Sequence, residues 1–187
     1  MRLNALFYYA DFFLSAALVM VLAVCMLMEV TAAIAAQWLA AASLGFAAWT
    51  LVEYFVHRVL YHSVPYFVEL HDAHHAEPDA FIGAPPVIGI VLFFLLLHFP
   101  ISVVSVNAAG GVTAGMLAGY MAYMLLHHAA HHWNVPAGTW LYRARHHHAL
   151  HHHHSEEGNY GITTPFWDHV FGTALVPSRS GPRRRAA

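Results

Sequence analysis

Histidine is the residue this chain repeats where chemistry could be done: 18 of its 187 residues are histidines, and most stand in four short constellations. HRVLYH supplies His57 and His62, HDAHH supplies His71, His74 and His75, and HHAAHH supplies His127, His128, His131 and His132. Near the C-terminal end RHHHALHHHH encloses HALHH, with His148, His151 and His152. Imidazole is the commonest transition-metal ligand. Residues three and four apart share a helix face, so the histidines of HDAHH can face one point, as can those of HALHH. HHAAHH holds two overlaid pairs, His127 with His131 and His128 with His132, and helical spacing does not choose between them. His57 and His62 lie five apart, about 140° around an ideal helix. They converge on one metal only where the helix loosens, and otherwise serve two metals or flank one site.

Two copies of a three-ligand unit and two pairs offer ten imidazoles. A single transition metal takes about four to six ligands, so the count favours a dinuclear centre. Ligation by nitrogen without thiolate suits iron, zinc or copper. The lone Cys25 excludes a cysteine-rich zinc module and a disulfide framework. A purification tag would be contiguous and usually terminal, whereas RHHHALHHHH is interrupted by Ala149 and Leu150 and followed by further sequence. A tract that only scavenges metal needs no exact spacing and no partners elsewhere. Glu53, one turn before His57, and Asp72, inside HDAHH, are candidates to orient the rings by hydrogen bonding. The plainer alternatives are polarity at a membrane boundary for Glu53 and a solvated surface for Asp72.

Such a site requires elements that carry four distant segments to one place. The chain is 59% hydrophobic and 10% charged, far below the roughly 25% charged of a soluble domain. It reads as one membrane-embedded unit over residues 1–187, and with a net charge of −2 and no basic stripe it excludes a nucleic-acid partner. Apolar stretches at about 14–30, 32–56, 85–106 and 110–126 are each close to the roughly 20 residues of a membrane-crossing helix. The first reads as an uncleaved anchor. Tight breaks before Ala32 and at Asn107 to Gly110 make two hairpins, with Pro100 kinking the third span and His98 a packing contact within it. The eight basic residues are all arginines: Arg2, Arg58, Arg143, Arg145, Arg179, Arg183, Arg184 and Arg185. A cytoplasmic start and four crossings put all of them on the cytoplasmic side. Segments 57–84 and 127–175 fall there too, gathering 16 of the 18 histidines, all but His98 and His169, on one surface. The expected fold is all-α: an integral membrane four-helix body of two hairpins, with a histidine-rich helical cap on the cytoplasmic face. Arginine and alanine without lysine hint at a GC-rich bacterial genome, hence a bacterial inner membrane with both termini cytoplasmic.

HRVLYH, HDAHH, GYMAYMLLHHAAH, LYRARHHHALHH and NYGITTPFWDHVFGT, in this order and separation, resemble the fatty acid hydroxylase/sterol desaturase superfamily of membrane di-iron oxygenases. The phrasing is most similar to the fatty acid 2-hydroxylase branch, with GY and a second Tyr before the third motif and a closing WD with FGT. The resemblance runs from about Glu53 to Leu175. It implies as ligands His57, His62, His71, His74, His75, His127, His131, His148, His151 and His152, selecting His127 and His131 over His128 and His132. His147, Asp168, Glu53 and Asp72 are the candidates to support them, and His146, His153 and His154 look like local extras.

The resemblance further implies two iron ions, with zinc able to replace them in isolated protein, and O2 as co-substrate. The product would be a hydroxylated lipid acyl chain of a fatty acid or sphingolipid. Nothing like the fused b-type cytochrome of eukaryotic 2-hydroxylases fits the short N-terminal region, so electrons would come from a separate ferredoxin or b-type cytochrome with its reductase. Met124 and Leu126 stand where the eukaryotic enzymes are more polar. The acyl chain would enter between the second and fourth spans, with Trp133, Trp140, Arg143 and Trp167 at the membrane interface as head-group contacts or simple belt residues. The alternatives are a carotenoid or sterol hydroxylase or desaturase of the same superfamily, against which the closing NYGITTPFWDHVFGT argues, and a metal transporter. A transporter needs polar ligands near the bilayer midplane, and the spans hold almost none besides His98.

Overall fold

The structure, a computed structural model, describes residues 1–28, 30–83, 86–153 and 157–175. Arg179, Arg183, Arg184, Arg185 and His154 lie outside them. Among the described residues seven helical elements follow in order: α1 (Ala5–Met28), α2 (Ala32–Ser63), α3 (Pro65–Ala76), α4 (Val87–Ser102), α5 (Val106–His132), α6 (Trp140–His153) and α7 (Phe166–Val170). The extended contact among the described residues is one isolated antiparallel bridge, Arg2 with Ile82.

The helices α1, α2 and α5 are long and apolar enough to cross a membrane. The third expected span is shorter: α4 rises about 24 Å at 1.5 Å per residue, below the roughly 30 Å of a hydrocarbon core. Its middle is a π-helical stretch, Phe94–His98, just before Pro100. His98 Nδ1 lies 3.2 Å from Thr113 Oγ1, a polar contact between α4 and α5. The two-hairpin reading holds, with different ends. Helix α1 begins at Ala5 rather than near residue 14, and Asn107 to Gly110 is helix rather than a break. Ser105 caps α5 by accepting the Ala108 N–H at 3.2 Å, and Gly110 faces the indole of Trp38.

Helix α5 is the centre of the molecule, packed most extensively on α2 and then equally on α1 and α4. Its buried run includes Ala109, Gly111, Ala114, Gly115, Leu117 and Gly119. Glycines four apart let two backbones touch, which is how helices associate where lipid removes the hydrophobic incentive. A Cβ on Gly115 would sit 2.0 Å from the Ala42 carbonyl oxygen, and one on Gly45 2.3 Å from that of Val112. The two backbones therefore touch where Gly45 and Gly115 lie. Outward, α1 leaves Phe13, Met20, Val24 and Leu27 exposed, the surface expected of a lipid-facing helix.

At one end the N-terminus folds against the segment after α3. Leu3 donates to the Phe81 carbonyl at 2.7 Å, and Arg2 pairs with both carboxylate oxygens of Glu77. Arg58, beside His57 in α2, and Arg143 and Arg145, in the histidine-bearing α6, belong to this same end.

Candidate metal centre

Helix α2 loosens where its histidines lie. From Val56 to Leu60 it is π-helical, and the Tyr61 N–H reaches back five residues to the Val56 carbonyl. Residues five apart thereby come onto one face, and the rings of His57 and His62 stand 5.7 Å apart, centre to centre. At the end of α5, His127 and His131 face the other histidines. The overlaid pair turns away: His128 Nδ1 lies 3.0 Å from the Tyr8 hydroxyl, and His132, stacked on His128 at 4.4 Å, is exposed.

Two groups result. In one, the Nε2 atoms of His74, His127, His131, His148 and His152 converge, with His127 to His74 at 2.9 Å, His131 to His148 at 2.9 Å and His152 to His148 at 3.1 Å. In the other, His57, His62, His71 and His151 come together. There the Nε2 of His75 joins at 3.0 Å from that of His71 and 3.1 Å from that of His151. All ten histidines that the resemblance names are thus gathered.

The repeated unit divides in a crossed manner. HDAHH sends His71 and His75 to one group and His74 to the other, while HALHH sends His148 and His152 to the second and His151 to the first. Helices α3 and α6 each contribute an i,i+4 pair to one group and the intervening residue to its neighbour. His75 and His152, from different groups, stack at 4.1 Å.

The donor set fits metal ions. Nδ1 of His57 lies 2.6 Å from the Tyr160 carbonyl oxygen, and Nδ1 of His151 lies 2.8 Å from that of Gly158. A carbonyl only accepts, so both rings carry their proton on Nδ1 and turn the bare lone pair of Nε2 inward. Those two Nε2 atoms stand 3.0 Å apart. Facing lone pairs at that distance repel unless a cation lies between them. With metal–nitrogen bonds of about 2.0–2.1 Å, adjacent ligand atoms of one coordination sphere are about 2.9–3.4 Å apart, which is the spacing found. Burial and, secondarily, the neighbouring imidazoles hold the rings neutral: His71 is pushed down to about 2, and His74 and His151 to about 3. Burial drives His148 well below its ordinary value too. The rings are therefore neutral at neutral pH, and at His57 and His151 the bare lone pair is on Nε2.

The segment from Gly158 to Thr173 braces this arrangement. Asp168, fully buried, accepts from the N–H groups of Tyr160 and Gly161 at 2.8 and 2.9 Å and from the Thr173 hydroxyl at 2.8 Å. Burial would raise this carboxyl, but these bonds and a contact with His147 Nε2 at 3.2 Å outweigh it and hold the group below its usual range. Glu53 Oε1 accepts from the N–H groups of Ile162 and Thr163 at 2.5 and 2.8 Å. Glu53 thus fastens the loop to α2 instead of touching a ring, and Asp72 is exposed and hydrogen-bonds to no ring among the described residues. The orienting acceptors are main-chain carbonyls. Asn159, set between them with φ of 56°, is the residue that motif spacing did not single out. On the membrane side Tyr123 stacks on His127 at 5.6 Å, and Trp49, Phe93 and Tyr120 continue the aromatic wall. Trp167 donates to Thr50 Oγ1 at 2.9 Å, so it tethers α7 to α2, whereas Trp133, Trp140 and Arg143 are exposed.

The model of the fatty acid hydroxylase family matches residues 42–173. The chain belongs to the fatty acid hydroxylase family. Its three long apolar helices make this member an integral membrane protein. It is 35% identical to fatty acid 2-hydroxylase of Rattus norvegicus over 154 residues, covering 75% of this chain and 40% of the rat protein. It is 34% identical to ceramide very long chain fatty acid hydroxylase scs7 of Schizosaccharomyces pombe over 142 residues, 70% of this chain and 41% of that protein. The chain thus spans about two fifths of the length of these relatives. Its fold is similar to a solved structure described as full-length scs7p with only the hydroxylase domain visible. There the TM-score is 0.77 at 24% identity, over 94% of this chain and 71% of that one.

Proposed function

We propose that this protein is an O2-dependent membrane hydroxylase that inserts a hydroxyl group into the acyl chain of a fatty acid or sphingolipid-like substrate. The observation that carries the reading is the pair of adjacent imidazole groups, with lone pairs turned inward, at one end of an apolar helical body. His57, His62, His71, His75 and His151 would hold one iron, and His74, His127, His131, His148 and His152 the other. The relatives are named as fatty acid 2-hydroxylases and as a ceramide hydroxylase, which supports the substrate class.

An unactivated C–H bond yields to no side chain, so irons held by these histidines would supply the redox chemistry for O2 activation. One substrate, one O2, two electrons and two protons become one hydroxylated lipid and one water. The electrons come from a separate donor, a ferredoxin or a b-type cytochrome with its reductase. The chain's own residues bind, orient and exclude. The carbonyls of Gly158 and Tyr160 fix the rings of His151 and His57. Tyr123, Trp49, Tyr120 and Phe93 form a water-excluding wall between the imidazoles and the hydrocarbon. A groove of about 450 Å³ lined by Val19 of α1, Leu39 and Phe46 of α2, and Ala114, Gly115 and Ala118 of α5 supports room for an acyl chain along these helices. Arg2, Arg58, Arg143 and Arg145 at the histidine end support a cytoplasmic centre by the positive-inside rule, and the lysine-free composition supports a bacterial inner membrane.

The test is co-expression with a compatible reductase, with host lipids and carotenoids analysed by mass spectrometry. Wild type should yield a lipid heavier by one oxygen, and His148→Ala and His152→Ala should not. Absence of any oxygenated lipid together with a gain of metal flux across the membrane would replace this reading with transport.

A further inference from the structure

The two imidazole groups have the same ligand type and unequal support. Around His57 and His151, two rings have their tautomer fixed from behind by carbonyls. Those carbonyls flank Asn159, whose backbone is in the left-handed region that asparagine tolerates. Asn159 is fully buried and held on three sides. Its Nδ2 donates to the His147 carbonyl at 2.9 Å, its Oδ1 accepts from the Leu175 N–H at 2.7 Å, and its own N–H donates to the Thr173 carbonyl at 2.9 Å. The directions of both flanking carbonyls follow from that locked residue. In the group around His127 and His148, no ring Nδ1 has a hydrogen-bond partner among the described residues, and those of His148 and His152 are buried without one.

A ring that coordinates through Nε2 must carry its proton on Nδ1. For His148 and His152 that places an N–H donor in a buried position with nothing to accept it, a cost of about 1–3 kcal/mol for each such group. Moving the proton to Nε2 removes that buried donor and lets the ring hydrogen-bond to its neighbours, so the metal-free second group favours tautomers that block binding. The first group has no such freedom at His57 and His151. Partners behind a ligating histidine are worth roughly 10–100-fold in metal affinity.

We infer that the two metal positions are unequal: the group containing His57 and His151 is the tight one that fills first, the group containing His148 and His152 is the exchangeable one, and Asn159 is the positioning residue behind the difference. The inference rests on the two-metal reading. It makes the pair an asymmetric device in which one ion is resident and the other can be lost and regained.

The experiment is a titration of chelator-stripped protein in detergent with Co(II), followed by its visible absorption and by total bound metal. Two steps separated by tenfold or more are expected. Asn159→Ala should weaken the tight step by roughly tenfold or more and leave the weak step within about twofold, so the weak step also reports that the variant is folded. Asn159→Gly keeps the left-handed backbone without the side-chain bonds, and should fall between wild type and alanine. A single wild-type step that binds two ions equally overturns the inequality, with no appeal to any variant. Equal weakening of both steps by Asn159→Gly overturns the role of Asn159. Failure to bind two ions at all overturns the two-metal reading itself.

Discussion

The hydroxyl of Tyr120 donates a 2.5 Å hydrogen bond to Oδ2 of Asp11, joining α5 to α1 inside the apolar body. Asp11 is the one carboxylate of α1 and is only 9% exposed. Asp11→Ala would leave the Tyr120 hydroxyl without its acceptor, costing about 1–3 kcal/mol, and the thermal midpoint in detergent should fall. Adding Tyr120→Phe should recover part of that loss, because both partners are then gone. Full additivity in the double-mutant cycle would show the two side chains to be uncoupled.

The two pairs in HHAAHH should separate cleanly. His127→Ala or His131→Ala removes a converging Nε2, so bound metal should drop by about half, measured by elemental analysis of purified protein. His128→Ala loses a bond to Tyr8 and His132→Ala alters an exposed ring. Both should keep their full metal content. Equal losses from all four would place the register elsewhere.

Acidification should destabilise chelator-stripped protein in a defined window. In the unfolded chain histidines bind a proton near 6.5, whereas in the folded protein His71 stays neutral to about 2, and His74 and His151 to about 3. The unfolded state therefore takes up more protons below about 6.5, and stability falls as pH falls through that range. Above it the contribution is complete and flat. Thermal midpoints between pH 8 and pH 5 test this, and a midpoint that rose on acidification would mean the rings are not buried together.

Gly115→Ala places a Cβ 2.0 Å from the Ala42 carbonyl oxygen. The α2 and α5 backbones must separate, an overpacking cost of about 1–3 kcal/mol or more, and both imidazole groups should lose affinity because they hang from the ends of these helices. Gly89→Ala meets nothing within 4 Å and should leave melting and metal binding unchanged. Similar behaviour of the two variants would deny the close approach.

The parts of this architecture that are legible in the sequence are those carried by side-chain type and spacing. HDAHH and HALHH announce two equivalent units, and the five-residue gap of His57 and His62 leaves a loosened helix as one of three readings, the one that the π-helical turn at Val56–Leu60 supplies. What escapes is carried by the backbone. The acceptors behind His57 and His151 are carbonyls, which every residue possesses, so Gly158 and Tyr160 give no signal by their identity. Asn159 belongs to the recognised NYGITTPFWDHVFGT, yet its left-handed φ is invisible in a letter.

Glycine is ambiguous for a related reason. Gly110 after Asn107 suits a turn as well as it suits a close helix contact, and only the neighbouring Trp38 decides. Glu53 has the position expected of a ring-orienting carboxylate, one turn from His57, but the chain from Ile162 to Thr163 reaches it first. Asp11 precedes the residues that read as the first span, and its partner lies 109 residues away.

The carbonyl that orients His57 belongs to Tyr160, 103 residues further along the chain. During synthesis His57 is made long before that carbonyl exists. The group of His57 and His151 cannot be complete until the segment from Gly158 to Tyr160 has left the ribosome. Completion of that group is therefore a late step of biogenesis, and a chain truncated before Gly158 would keep all ten histidines but lack both carbonyls that orient His57 and His151.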